Sequence, residues 1–177
     1  MASRSSTESH RVPCHEHAAL APPSSIVDDD DRRIRYRTAD PEDRSSLVAM
    51  YEDFAAADRT QGLPPVERSG IEAWLDVVLD DASVLAVHDG RIVGHVMFVA
   101  DDAGEHELGV FVHQYYQDAG VGTNLLRAGL AHAGRRGITD VWLSVAPRNR
   151  RARAVYERLE FVEDGECDHG IRLSTTL

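Results

Sequence analysis

The chain of 177 residues contains no lysine; all 19 of its Lys and Arg residues are arginine. That absence excludes a Walker-A phosphate-binding lysine, a pyridoxal Schiff base and a lysine general base. It also leaves no internal lysine to be acetylated as regulation. Cysteine is nearly missing: Cys14 and Cys167 form no spaced metal or disulfide framework, which predicts a reducing, cytoplasmic compartment and no metal. No apolar run approaches the ~20 residues that span a bilayer, and the first residues lack the apolar core of a signal peptide, so no membrane association is expected. A basic balance is lacking too. The formal net charge of -11, from 30 acids, argues against nucleic acid, because phosphate neutralisation needs a basic face.

What is present is globular. Hydrophobic residues make up 42% and charged residues 28%, enough for a core and, at this length, one domain. The acid excess with arginine in place of lysine fits either a halophilic, high-salt cytoplasm or a GC-rich genome. Residues 1–31 are Ser-rich, carry the Pro22-Pro23 pair and end in four consecutive Asp; they read as a disordered tail before a single domain over 32–177. Cys14, His15 and His17 lie close together but do not complete a tetrahedral metal site.

From Arg33 the pattern orders itself. Ile34 and Tyr36 alternate with arginines as a strand. Asp40-Pro41-Glu42 starts a helix that buries Leu47, Met50, Tyr51 and Phe54. A break over 62–65 leads to a second helix with Ile71, Trp74, Leu75, Val78 and Leu79. Asp89-Gly90 joins strands 83–88 and 91–100 as a type I′ hairpin, and 106–113 follows as the fourth strand. Residues 120–136 are helical, 140–145 form a buried strand, 149–159 are helical, and 161–163 pairs with 170–173. This β-α-α-β-β-β-α-β-α-β-β order predicts an α+β domain of three layers (α/β/α). Its mixed, mostly antiparallel sheet should have about seven strands, with a parallel section at the one crossover.

The informative stretch is Gln117-Asp118-Ala119-Gly120-Val121-Gly122, between a strand and a helix. Glycines there let successive N–H groups converge, and the helix adds its positive end, forming a cradle for phosphate or pyrophosphate. The dinucleotide fingerprint fails for want of its first glycine and of an acidic strand end. From His106 to Phe161 the chain resembles the GNAT superfamily of N-acetyltransferases. Gln117, Gly120 and Gly122 match its Q/R-x-x-G-x-G/A signature, and Asn149, Ala152, Tyr156 and Phe161 match its N-x-x-A…Y…F spacing.

The resemblance implies an acetyl-CoA-dependent N-acetyltransferase acting directly on a primary amine of a small molecule or a peptide. By the same resemblance the pyrophosphate sits on Asp118, Ala119, Gly120, Val121, Gly122 and Thr123. The pantetheine arm pairs with Val110, Phe111 and Val112, Asn149 and Ala152 flank it, and Tyr156 protonates the departing thiolate. Dimers are common in the family, so a homodimer is left open. Ribosomal-protein acetyltransferases often carry a Glu five residues before the Asn; here it is Ser144. The general base is left open between Glu107, His106 and a water chain; the two residues are adjacent on the strand and face opposite ways. Parity puts His106 with Leu108, Val110 and Val112, but the expected bulge in this strand could reverse that, so parity does not settle the choice; Glu107 is the preferred candidate. Two departures stand out. Glu160 replaces a glycine at the helix end, and Asp118 sets a carboxylate beside the phosphate loop. Arg150, Arg151 and Arg153 either pair with phosphates across the groove mouth or form a solvated helix face. The acceptor rim is expected from 56–68 and 164–169, both acid-bearing. Two alternatives remain open: a non-catalytic acyl-CoA-binding module, and a nucleotide-phosphate binder using the same loop.

Overall fold

The acidic run at residues 28–31 is a tight turn in the computed structural model, which describes residues 20–59, 63–80, 82–167 and 170–177. Asp28 stitches it: its carboxylate accepts from Arg32 N and Arg32 Nε, both at 2.8 Å, and from Asp30 N at 3.1 Å. Before the turn, β1 (Ser24–Val27) pairs antiparallel with β2 (Arg33–Thr38). The expectation of a tail through residue 31 is therefore corrected for 24–31, and the sheet has eight strands rather than about seven. The Cys14, His15 and His17 group lies outside the described residues, as do 60–62, 81, 168 and 169.

From β2 onward the order follows the sequence pattern: α1 (Arg44–Glu52), α2 (Arg68–Val78), β3 (Val84–His88), β4 (Arg91–Ala100), β5 (His106–Val112), α3 (Val121–Arg135), β6 (Asp140–Val145), α4 (Arg150–Arg158), β7 (Val162–Cys167) and β8 (Gly170–Thr176). The first helix starts as read: Asp40 accepts from Glu42 N, Asp43 reaches back to Asp40 N, and a short 3-10 turn runs into α1. The hairpin at Asp89-Gly90 has both φ angles positive, +47° and +78°, as a type I′ turn requires. Spatial order is β1-β2-β3-β4-β5-β6-β8-β7. Every neighbouring pair is antiparallel except β5/β6, joined through α3 by a βαβ crossover.

Two apolar clusters cover opposite faces of the sheet, and removal of this surface from water drives the fold. On one face α3 inserts Val121, Leu125, Leu126 and Leu130 against Val96, Phe98, Leu108, Val141 and Leu143, with Val155 and Tyr156 of α4 alongside. On the other, α1 and α2 set Leu47, Tyr51, Ile71 and Leu75 against Leu85, Val87, Met97 and Phe111. Strand parity thus assigns Val110 and Val112 to the α3 face and Phe111 to the α1/α2 face. The bulge expected in β5 is absent. Its register with β4 runs unbroken from Gly94 opposite Val112 to Ala100 opposite His106, and the irregularity falls between Ala86 and Val87 of β3 instead.

Candidate active site

β5 and β6 share only two rungs, His106 with Val141 and Glu107 with Trp142, and then part. A strand pair that opens leaves main-chain groups without a ladder partner, and such groups need another one. The opening is a cleft of about 460 Å³. Val110, Phe111 and Val112 form one wall and Ser144, Val145 and Ala146 the other, while α4 contributes Asn149, Arg151, Ala152, Val155 and Tyr156.

At one end lies the glycine loop. The Gln117 amide donates to the carbonyl of Val112 at 3.0 Å, tying the loop to the end of β5. Asp118 and Gly120 both take left-handed backbone, at φ +66° and +80°, a pattern that turns successive N–H groups inward. Gly120 precedes the first turn of α3, whose N-terminal N–H groups point out of the helix and add positive potential. A Cβ on Gly122 would just reach van der Waals contact with Val112 Cγ2, at 3.4 Å, so the loop packs closely on the end of β5 there. Ala119 is buried, and its carbonyl accepts from Asp29 N at 3.2 Å. Val121 is buried also, with its carbonyl taking the Tyr36 hydroxyl at 3.2 Å. Gln117, Asp118, Gly120, Gly122 and Thr123 line the cleft; Ala119 and Val121 support it from behind. This donor set fits a pyrophosphate.

Asp118 forms an ion pair with Arg151 across the cleft mouth. Its repulsion toward a phosphate is thereby countered by a cation of this chain. Asn149 caps α4, its side-chain oxygen accepting from Ala152 N at 3.1 Å, which leaves its amide N–H groups to donate.

Tyr156 is held at the other end of α4. Phe161 N donates to the Tyr156 carbonyl at 3.0 Å and Glu160 N to Glu157 O at 3.1 Å. These two bonds make a Schellman cap, with Phe161 packing on Tyr156 at a ring-centroid distance of 5.7 Å. Glu160 takes the left-handed position, φ +65°, that glycine would occupy without strain. Burial pushes the Tyr156 phenol up to about 12, so it is a proton donor at neutral pH. Its hydroxyl makes no hydrogen bond to any described residue.

The two base candidates separate cleanly by parity. His106 follows Leu108 to the α3 face, with Nδ1 buried and without a hydrogen-bond partner among the described residues. Glu107 is exposed on the α1/α2 side, at the last rung before the strands part. Neither lines the cleft. The acceptor side holds one residue that sequence reasoning did not assign to the cleft, Phe54, together with Ala57 and Asp58 of the expected rim. By spacing Phe54 continued the apolar stripe of the first helix and so read as core only, but α1 ends at Glu52 and Phe54 lies just past its end. Ser144 lines the cleft and accepts from the Cys167 thiol at 3.1 Å.

This arrangement, a glycine cradle feeding a forked parallel pair, coincides with a family match. The sequence profile of the Acetyltransferase (GNAT) family fits residues 47–161. The chain belongs to the GNAT acetyltransferase family. Relatives described as uncharacterized N-acetyltransferases of Mycobacterium tuberculosis and Mycobacterium bovis are 35% identical over 85 residues, 48% of this chain. The match spans about half, 54%, of the length of those relatives. Among solved structures, the GNAT domain of S. lividans PAT is similar at TM-score 0.74 and 21% identity, covering 87% of this chain and 96% of that one. The yncA protein of Salmonella typhimurium, determined with its cofactor acetyl-CoA, is similar at TM-score 0.64 and 18% identity, over 81% and 94%. At these identities the structural likeness speaks for the GNAT fold. Among the described residues no group of three or more His, Cys, Asp or Glu is placed to hold a metal, and no helix is long and apolar enough to cross a membrane.

Proposed function

We propose that this GNAT chain is an acetyl-CoA-dependent N-acetyltransferase that moves the acetyl group directly to a primary amine. The observation that carries the reading is the fork between β5 and β6, with the glycine loop at one end and, lining the same cleft, Tyr156, whose hydroxyl has no hydrogen-bond partner among the described residues. Acetyl-CoA, when bound, supplies the thioester as electrophile.

The chain's own groups do the rest. N–H groups over 118–123 hold the pyrophosphate, and main-chain groups of Val110, Phe111 and Val112 pair with the pantetheine amides as a strand would. Asn149 donates from the facing wall. An amine must lose a proton before it attacks. Glu107, at the apex of the fork, receives that proton through water. Val110, the nearest cleft residue on its strand, is about 10 Å away at the rise of an extended chain, too far for direct contact. As the C–N bond forms and the C–S bond breaks, Tyr156 gives its phenolic proton to the sulfur. The second proton released by nitrogen returns to the phenolate.

Thiol release from acetyl-CoA in the presence of a panel of primary amines tests this reading. Turnover with at least one amine is expected, lowered about ten-fold or more in Tyr156→Phe with acetyl-CoA affinity unchanged. Binding of acetyl-CoA without turnover on any amine would instead make the chain a non-catalytic acyl-CoA-binding module.

A further inference from the structure

Residues 53–59, which connect α1 to the acceptor side of the cleft, are pinned from two directions. Gln114, just past β5, donates from Nε2 to the Asp53 carbonyl at 2.7 Å, and its Oε1 accepts from Ala55 N at 3.1 Å. Arg59 spends its guanidinium on main-chain carbonyls: Pro64 at 2.7 Å, Tyr51 at 2.8 Å, Phe54 at 3.3 Å, and Pro65. The segment is therefore fixed before any acceptor arrives, and a cation adjacent in sequence to Asp58 is turned away from it.

Behind the segment stands a rigid aromatic wall. Phe54 and Phe111 line the cleft, and each is locked edge-on or tilted against its neighbours. Ring centroids are 6.1 Å apart for Phe54 and Phe111, 5.8 Å for Tyr51 and Phe111, and 5.6 Å for Trp74 and Phe111. Aromatic faces hold apolar carbon and attract an ammonium through the ring quadrupole.

Two carboxylates line the cleft, Asp58 and Asp118. Asp118 is paired with Arg151. Asp58 makes no side-chain hydrogen bond or ion pair to any described residue. Of the two cleft carboxylates, then, Asp118 is already neutralised by Arg151 while Asp58 stands beside the apolar wall without a cation among the described residues.

We propose that Asp58 determines acceptor specificity. The acceptor is a small cationic primary amine whose apolar skeleton lies on Phe54 and Phe111, with no carboxylate beside the amine. This rests on the acetyl-transfer reading and adds the acceptor class to it. The Asp58 carboxylate forms a charge-assisted hydrogen bond with the ammonium. An α-carboxylate would be brought against Asp58 and repelled. The cleft, at about 460 Å³, must also admit the pantetheine arm, which leaves room for a small molecule.

The test uses the full chain saturated with CoA, which has no acetyl group to transfer, titrated calorimetrically with 2-phenylethylamine, phenylalanine and a short peptide with a free N-terminus. The wild type should bind 2-phenylethylamine about ten-fold or more tighter than phenylalanine, whose α-carboxylate is repelled by Asp58, and tighter than the peptide, which exceeds the space left beside the pantetheine arm. Asp58→Asn should lose that margin and raise the KM for the amine by a similar factor, with acetyl-CoA affinity unchanged. Equal binding of phenylalanine, preference for the peptide, or an Asp58→Asn variant with unaltered amine affinity would each overturn the proposal. Failure of the acetyl-transfer reading would show separately, as absence of acetyl-CoA binding or turnover by the wild type.

Discussion

In the proposed reaction Tyr156 concentrates the chemistry in one side chain, and its surroundings suit it to the role of acid. The ring packs on Phe161, the hydroxyl opens to the cleft, and burial pushes the phenol up to about 12. A group that donates a proton stays competent below its own pKa. Turnover carried by Tyr156 should therefore show no descending alkaline limb between pH 8 and about pH 11, once the fraction of neutral amine is accounted for. A pH profile of kcat for the wild type checks this; a fall centred near pH 10, the ordinary tyrosine value, would contradict it. At this scale the sequence was most legible where residue type and spacing match a motif: Tyr156 seven residues after Asn149, and Gln117 ahead of the glycines, all of which line the cleft. Glu107 and His106 were not separable from sequence, because a single bulge in β5 would have exchanged their faces. The unbroken β4/β5 register sends Glu107 to the α1/α2 side. Asp58 was visible only as part of an acidic rim. Its isolation depends on where Arg59 and Gln114 point, which no local pattern encodes.

Two elements carry predictions of their own. The cap that positions Tyr156 places Glu160 in left-handed backbone at φ +65°, which costs an L-residue with a Cβ about 1 kcal/mol relative to glycine. Glu160→Gly should raise stability by about that amount in a urea titration, and an unchanged or lowered midpoint would remove the strain from the account. The second element is the segment ahead of β2. Asp29 N reaches the Ala119 carbonyl, and Arg32 donates to the Tyr115 carbonyl at 2.8 Å while its guanidinium lies 4.4 Å from the Tyr116 ring. These contacts buttress the glycine loop from outside. Arg32→Ala should weaken acetyl-CoA binding about three- to ten-fold, roughly 0.7–1.4 kcal/mol, while the chain stays folded by circular dichroism; unaltered affinity would assign the segment to stability alone. The helices and the hairpin read well because caps, a type I′ pair and apolar periodicity are local. β1 did not. Four residues of modest hydrophobicity between a proline pair and four aspartates carry no strand signature, and the strand exists because β2 offers an edge and Asp28 closes the turn.

At the level of the whole molecule, the sheet separates two cores with different duties. The α3 and α4 side carries the cradle and Tyr156; the α1 and α2 side carries the aromatic wall and, beneath it, a buried polar pair. The Tyr51 hydroxyl lies 2.9 Å from Nδ1 of His95, and both side chains are fully buried. Burial lowers His95 to about 3. The unfolded chain protonates this imidazole near pH 6.5, so its contribution is complete above pH 6.5 and is lost progressively as pH falls toward 3. His95→Gln, which keeps an acceptor for Tyr51, should flatten the decline of stability between pH 6.5 and 4 in denaturant titrations. The three-layer architecture was legible because element order alone restricts the topology. The fork was not, since the number of rungs shared by β5 and β6 is a tertiary property of the twisted sheet.

That fork, with its glycine cradle, is the basis of the functional assignment, and calorimetric titration with acetyl-CoA tests it most directly. The account predicts one-to-one binding at micromolar concentration by the wild type, and its loss when Gly120→Asp sets a strained, negatively charged side chain in the cradle. Absence of binding by the wild type, at low salt and in molar potassium chloride alike, would contradict it.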